Sequence, residues 1–168
     1  MKISGVNWES VVDGLGVRTT IFVSGCSHNC PGCHNPETHD PNIGFEFEDK
    51  IRDIIFREIA DKPYIDGITM SGGDPLFPSN RTEVEKFLQE FRHKFPEKNV
   101  WLYTGYKWEE IINDKQMLSI ALLCDVIVDS PFEIEKRDIT AFFKGSTNQR
   151  VIDVKKSLEE KYIVTIHN

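Results

Sequence analysis

Three of the four cysteines lie close together, at Cys26, Cys30 and Cys33, with the spacing C-x3-C-x2-C. They follow the apolar run Thr20–Val23, so the loop that carries them is expected to leave a buried strand. Thiolates are soft ligands that select iron–sulfur clusters, zinc or copper(I) over hard cations. A four-iron cluster normally takes four cysteines, so three thiolates would leave one iron open to a substrate or cofactor. The spacing therefore predicts a catalytic iron–sulfur cluster at the end of a strand.

Zinc is the alternative metal for this loop. A closed Cys3His site needs one histidine, and three are near enough to supply it: His28, His34 and His39. Against this, zinc knuckles usually present two paired arms far apart in the sequence, and no second arm occurs in this chain. Cys124 stands alone in an apolar segment and is expected to be a small buried residue.

Length and charge limit the class of protein. The 168 residues predict a single domain over 1–168. A net charge of −7 argues against nucleic-acid binding, which uses basic patches. No apolar run is long enough to cross a bilayer, and Met1–Trp8 lacks the apolar core of a secretory signal. A cytoplasmic location is therefore expected, where thiols stay reduced and clustered cysteines indicate a metal.

Short apolar and β-branched runs predict five strands. They are Val17–Ser24, Asp66–Ser71, Asn99–Thr104, Val126–Asp129 and Tyr162–Ile166. Segments with helical spacing separate most of them. One has apolar residues from Phe47 to Ile59 and should stop before Pro63. Strands that alternate with helices predict a mainly parallel sheet.

Three further helical segments are predicted. Thr82–Glu85 has the capping-box pattern and should begin a helix that buries Val84, Phe87, Leu88, Phe91 and Phe95. The stretch that begins at Trp108 should break near Asn113–Asp114, and Lys155–Lys161 reads as a short helix. Four to six strands are too few for a complete eight-stranded barrel, so the predicted fold is α/β, a partial (open) parallel β/α barrel with the cluster at its C-terminal mouth.

A second loop with ligand-binding features follows the strand that ends at Ser71. It reads Gly72-Gly73-Asp74-Pro75. Two glycines allow another molecule to approach the backbone, and free amide and carbonyl groups there can bind a polar ligand. A plain glycine turn is the alternative, but the position after a cysteine loop and at the end of the next strand favours a binding site.

The cysteine spacing resembles that of the radical S-adenosylmethionine (SAM) enzymes. Further segments resemble one family among them, the glycyl-radical-enzyme activases that serve the anaerobic ribonucleoside-triphosphate reductase. The matching segments are Val12–Gly16, Phe22–Cys26, Cys30–Cys33, Ser71–Leu76, Trp101–Tyr106 and Gly145–Arg150. The cysteines alone would indicate only the superfamily, whereas the later segments indicate the family.

The resemblance implies an oxidoreductase in a single domain of the radical SAM type. Cys26, Cys30 and Cys33 would hold three irons of a [4Fe–4S] cluster, and the open iron would bind the amino and carboxylate groups of SAM. Other implied contacts are Ser71, Gly72 and Gly73 with the amino group, and Gly32, Cys33 and His34 with the adenine. Asp129, at the end of the fourth predicted strand, is a candidate for a ribose contact by position only, and a cap or turn residue is the alternative. Because SAM carries the radical, no catalytic side chain is expected, and the nearby histidines should face solvent or brace the loop.

The resemblance also implies partners. Reductive cleavage of SAM would yield a 5′-deoxyadenosyl radical, which would generate a glycyl radical on the reductase large subunit. A reduced flavodoxin-like or ferredoxin-like protein would supply the electron. Cys33-His34-Asn35 instead resembles the activase of pyruvate formate-lyase, so activation of another glycyl radical enzyme stays an alternative.

Overall fold

A computed structural model describes residues 1–166 and contains one open sheet of seven strands. The strands are β1 (Lys2–Ser10), β2 (Arg18–Val23), β3 (Phe45–Glu46), β4 (Gly67–Gly72), β5 (Asn99–Tyr103), β6 (Val126–Asp129) and β7 (Arg150–Asp153). The helices are α1 (Asp49–Asp61), α2 (Arg81–Lys94), α3 (Trp108–Ile111), α4 (Lys115–Ala121) and α5 (Val154–Glu160). The α/β class and the open sheet are therefore confirmed.

Only the centre of the sheet is parallel. The strand order is β3-β1-β2-β4-β5-β6-β7, and the pairs β2–β4, β4–β5 and β5–β6 are parallel. The pairs of β1 with β2 and β3, and of β6 with β7, are antiparallel. The expectation of a mainly parallel sheet thus holds for the four central strands and is wrong for both margins.

The two faces of the sheet are covered differently. One face packs against helices in a large core to which all five helices contribute, for example through Ile55, Phe87, Trp108, Met117 and Val154. Alternate residues of the strands point to the other face, where Trp101, Val126, Val128 and Val151 form a smaller cluster. This second face carries the cavity described below.

Most predicted elements are present. The helix after Phe47 ends before Pro63, the break near Asn113–Asp114 separates α3 from α4, and Cys124 is buried. Three details differ. The long strand β1 has no counterpart among the predicted strands, because Gly5 and Asn7 interrupt its apolar pattern. The run Tyr162–Ile166 forms only a single bridge, Thr165 with Ile152, rather than a full strand.

The third difference concerns the start of α2. Its first residue is Arg81, so Thr82 lies inside the helix and does not cap it. Asn80 precedes the helix, but its side chain also makes no cap and instead donates to the backbone carbonyls of Ser24 in the cysteine loop and of Asp74 in its own loop. Among residues 1–166, none of the helices has the length and apolar composition needed to cross a membrane.

Candidate iron–sulfur and cofactor site

Four loops converge at the carboxyl ends of the parallel strands β2, β4, β5 and β6. Together they line a cavity of about 560 Å³, a size typical of sites for small ligands. The three cysteines of the first loop and Ser71, Gly72 and Gly73 of the second loop all line it. The predicted position of the site, where parallel strands end, agrees with this arrangement.

The start of the cysteine loop is held by backbone hydrogen bonds of Gly25 and Cys26. Gly25 donates to the Thr38 carbonyl at 2.7 Å, and Cys26 donates to the His39 carbonyl at 3.1 Å. All three thiols are reduced and half-buried. The Asn35 amide also donates to Cys33 Sγ at 3.4 Å. The fold therefore presents three soft donors on one wall of the cavity.

The surroundings of the thiols disfavour free thiolates. Burial raises the pKa of the Cys26 thiol to about 11 and raises that of Cys30 as well. Metal ions overcome such a penalty, because a coordinated thiol is deprotonated on binding. Among residues 1–166, no three His, Cys, Asp or Glu side chains are placed around one metal-ion position.

The second loop brings bare backbone to the cavity. Gly72 has a φ of +101°, and Gly73 donates to the Val23 carbonyl at 2.7 Å. A Cβ on Gly73 would lie 2.8 Å from the Thr38 carbonyl oxygen, closer than real Cβ contacts come. Glycine is thus needed for this loop to pack against the cysteine loop. The close packing of the two loops places backbone peptide groups of the glycine loop next to the thiols.

Asp74, the next residue, is 1% exposed and accepts several hydrogen bonds. Its carboxylate receives the Leu76 amide at 2.8 Å, the Gly105 amide at 3.0 Å and the Thr104 hydroxyl at 2.9 Å. A carboxylate in this setting ties the second loop to the loop after β5. The sequence analysis considered the backbone of this motif and missed the role of its side chain.

His28, between the first two cysteines, reaches the same carboxylate. Its Nε2 lies 3.0 Å from Asp74 Oδ2, although the ring N–H is not aligned for a linear hydrogen bond. The carboxylate raises the pKa of His28, while burial acts in the opposite direction. His28 therefore braces the loop, one of the two roles expected for it.

The other predicted contacts are placed as follows. His34 is exposed, lines the cavity and packs against the ring of Phe132, with a centroid distance of 5.3 Å. Gly32 is exposed and contacts the side chain of Ile134.

Asp129 is fully buried and does not line the cavity. Its carboxylate accepts from the Trp108 amide at 2.8 Å, from the Ser130 hydroxyl and from both Nε and an NH2 group of Arg150. A ribose contact by Asp129 stays a prediction, while the structure shows an anchor that joins β6, α3 and β7.

The segment Pro131–Gln149, here called the strap, closes the fourth side of the cavity. The Gln149 side-chain oxygen accepts from the Gly145 amide at 2.8 Å and the Ser146 amide at 3.2 Å. Its side-chain nitrogen donates to the Ser130 carbonyl at 3.1 Å. Ser130 itself has a φ of +77°, which turns the chain out of β6 and across the cavity.

Several polar side chains of the cavity were not predicted as site residues, among them those of Asp13 and Tyr103. Asp13 and Tyr103 line it from the turn after β1 and from the end of β5. Asp13 Oδ2 accepts from Ser10 at 2.6 Å and from Thr20 at 2.9 Å. Asp13 lies in the early glycine turn, which was used only as a sign of the family, and no local pattern distinguishes Tyr103 from other strand residues.

The residues present fit an iron–sulfur cluster and a polar cofactor. Three soft sulfur donors line the cavity from one loop. Gly72 and Gly73 line it from the next loop, where an added Cβ would be too close to neighbouring backbone. The loop that carries the cysteines and the loop that carries Gly72 and Gly73 are in backbone contact. A molecule bound to the cluster could therefore also reach the glycine loop.

Comparisons with known proteins agree with this chemistry. The family model of a 4Fe-4S single cluster domain matches residues 12–152. The protein named anaerobic ribonucleoside-triphosphate reductase-activating protein in Escherichia coli K12 is 41% identical over 142 residues, 84% of this chain and 91% of the relative. Proteins of the same name from Haemophilus influenzae and from bacteriophage T4 are each 38% identical over 140 residues, 83% of this chain and 89% and 86% of those relatives.

Proposed function

The chain belongs to the family of anaerobic ribonucleoside-triphosphate reductase-activating proteins, and from this premise we propose that it generates a glycyl radical on such a reductase. It does so as a radical SAM enzyme with a [4Fe–4S] cluster. The observation that carries the proposal is the meeting of three cysteine thiols and a Gly-Gly loop on one cavity. The chemistry that the cluster and SAM supply when bound is reductive cleavage of SAM, which yields the radical that removes a hydrogen atom from glycine.

The protein's own contribution is to bind and orient the cluster and SAM and to exclude water. Cys26, Cys30 and Cys33 would hold three irons, which leaves the fourth iron for SAM. The backbone of Ser71–Gly73 would bind the amino group of SAM, and the backbone of Gly32–His34 would contact its adenine. The seating of Gly73 against Gly25 supports the first contact, because it places this backbone next to the residue that precedes Cys26. Gly32, Cys33 and His34 do not depend on that contact, and Cys33 and His34 line the same cavity.

The single domain over 1–168 would then be a partial barrel of the radical SAM type. The four parallel strands support this reading, since the loops at their carboxyl ends line the cavity. The strap Pro131–Gln149 would cover the bound cofactor and limit access of water, a role that needs no acid, base or nucleophile from the chain.

The rim of the cavity suggests where the reductase large subunit would dock. Val12 and the strap residues Ala141 and Phe143 line the cavity, and Val12, Ile139 and Phe142 expose large apolar side chains. Ile139 is 86% exposed and Phe142 is 62% exposed. An apolar rim is typical of a surface that meets another protein. The glycine-bearing segment of the reductase would enter there, because the radical must form beside its target.

An external protein would supply the electron. The chain has four cysteines, and three of them are assigned to the cluster, so Cys124 alone could not hold a second centre. We propose a reduced flavodoxin-like or ferredoxin-like donor.

The replacement of Cys30 tests the proposal. Cys30→Ala should abolish SAM cleavage and lower the iron content, because the cluster loses one of its three protein ligands. Cys124→Ala is the control, since that thiol is buried away from the cavity and should leave both quantities unchanged. The measurements are methionine release and the electron paramagnetic resonance (EPR) signal of the reduced protein with and without SAM. Cleavage retained by Cys30→Ala would refute the assignment.

A second measurement identifies the partner. The wild-type protein should produce a glycyl EPR signal on the anaerobic reductase and none on pyruvate formate-lyase. The opposite result would assign the chain to the lyase, as Cys33-His34-Asn35 would favour.

A further inference from the structure

Asp74 contacts the cysteine loop on both sides of Cys26. Its backbone amide donates to the carbonyl of Gly25 at 2.8 Å, directly before that cysteine. Its carboxylate lies 3.0 Å from Nε2 of His28, two residues after the cysteine. One residue of the Gly-Gly loop therefore fixes the chain before and after a cluster ligand.

The carboxylate is itself held in one place. It is buried and accepts from the nearby Leu76 amide, and from the Thr104 hydroxyl and the Gly105 amide in the loop after β5. A buried carboxylate that leaves this position would lose these bonds without gaining water. Asp74 is consequently a rigid reference point for the histidine.

The ring of His28 has little freedom to move. A Cβ on Gly105 would overlap the ring, so the imidazole lies directly on that glycine. The edge of the Tyr106 ring packs against it, with a centroid distance of 4.8 Å and an interplanar angle of 79°. Contacts on these sides leave the Asp74 carboxylate as the polar partner of the ring and make the position of His28 depend on three loops.

We propose that Asp74 and His28 form a positioning pair that fixes Cys26 relative to the Gly72–Gly73 backbone and thereby couples SAM binding to retention of the cluster. This inference rests on the proposed function and deepens it. Asp74 follows Gly73 directly, so a ligand that immobilises the Gly-Gly backbone also immobilises the carboxylate. His28 passes that restraint to the cysteine loop.

The coupling must act in both directions. If SAM makes the cluster harder to lose, the intact cluster makes SAM bind more tightly by the same factor. Coupling between sites in proteins usually lies between about 5-fold and 150-fold. SAM should therefore slow the loss of iron from the wild-type holoprotein to a chelator by at least about fivefold, by this coupling and by direct ligation together.

The test separates these two contributions with variants of His28. His28→Leu keeps a side chain of similar bulk but removes the polar group that meets Asp74. We expect the reconstituted variant to lose iron faster without SAM and to show a protection by SAM several-fold smaller than in the wild type. His28→Gln retains a donor at this position and should recover most of the protection. His93→Leu, a change of the same residue type at an exposed position of α2, is the control and should match the wild type.

A simple loss of folding is distinguished by two further readouts. The unfolding midpoint of the cluster-free chain should be similar for His28→Leu and His28→Gln, whereas their iron retention should differ. The shape of the reduced EPR signal in the presence of SAM should also differ between them, because the geometry of the open iron changes. Asp74→Asn combined with His28→Leu should be no worse than the more damaging single change, since both interrupt one contact. If Asp74→Asn does not fold, the His28 variants decide alone.

The results that would overturn the inference differ from those that would overturn the proposed function. Equal protection by SAM in the wild type, His28→Leu and His28→Gln would refute the positioning pair and leave the activase function intact. A wild-type protein that holds no four-iron cluster, or whose EPR signal does not respond to SAM, would refute the proposed function itself.

Discussion

Arg18 is a fully buried side chain whose hydrogen bonds go to neutral groups. Its guanidinium donates to Thr69 at 2.7 Å, to the side chain of Asn99 at 2.6 Å and to the carbonyl of Ile68 at 2.5 Å. It also lies over the ring of Trp101, 5.3 Å from the centroid. Burial lowers its pKa to about 10, so the group stays charged at neutral pH. These bonds join the starts of β2, β4 and β5.

Removal of this group should destabilise the fold strongly. Arg18→Met fills a similar volume but leaves buried acceptors without donors, so we expect a loss of about 3 kcal/mol or more in the free energy of unfolding. Urea denaturation of the cluster-free chain measures it. Arg57→Met, at an exposed position of α1, should change the value by less than about 0.5 kcal/mol. A similar small effect at Arg18 would contradict this account.

At the residue scale, the sequence identified the groups with a distinctive local pattern. The cysteines and the glycines of the second loop were predicted from their spacing and position, and both groups line the cavity, while their contacts with a cluster and with SAM stay predictions. The contact of His28 with Asp74 could not be found in this way, because it depends on how two loops distant in the sequence meet. The burial of Arg18 was equally hidden, since a charged residue at the start of a strand is normally expected to be exposed.

At the scale of elements, the strap depends on a small number of polar contacts. Most of its side chains between Glu133 and Phe142 are exposed, and it has only one short 3-10 turn, Ile134–Lys136. Gln149 contributes three hydrogen bonds that fix its second half. Exposed segments with few packing contacts are typically the least stable parts of a fold, as the proposed role of the strap in covering the cofactor would require.

Gln149→Ala should therefore loosen the strap without unfolding the protein. Loss of these bonds should lower the local opening free energy by about 1–3 kcal/mol. Hydrogen exchange of the Gly145 and Ser146 amides should accelerate, while exchange in β4 and β5 stays as in the wild type. Thr147→Ala is the matched control, because Thr147 is exposed and donates to the Lys136 carbonyl through its backbone amide. Unchanged exchange in Gln149→Ala would show that the strap is held by other contacts.

Element prediction succeeded where burial is complete and failed where the chain is only partly covered. The strands β4, β5 and β6 are buried on both faces and read as short apolar runs. Strand β1 lies next to the margin and exposes Asn7, Trp8 and Glu9, so its composition resembles that of a loop. The predicted capping box at Thr82–Glu85 was wrong because the helix already begins at Arg81, which places Thr82 inside it.

At the scale of the whole molecule, the apolar rim predicts that a single substitution can impair activation of the reductase without impairing SAM cleavage. Ile139→Asp places a charge on an exposed rim position and should not disturb the core. The yield of glycyl radical on the reductase should fall by roughly tenfold, since loss of one good apolar contact at an interface costs about 1–2 kcal/mol. Reductive SAM cleavage without the reductase should continue at the wild-type rate.

The control for that experiment is a polar exposed position on the opposite side of the sheet. Lys86→Glu on α2 changes the net charge by two units, away from the rim, and should leave the radical yield unchanged. Equal yields in Ile139→Asp and the wild type would place the docking surface elsewhere.

The open sheet has a consequence for the kind of substrate that such a molecule can serve. Both margins of the sheet end in short strands, β3 with two residues and β7 with four, and the chain does not curl round to join them. A ligand can enter a closed barrel only along the barrel axis. An open sheet can also be approached from the side, even by a loop that belongs to a large folded protein. In the proposed activation, the glycine-bearing loop of the reductase would enter from this open side, and the body of the reductase would then close it.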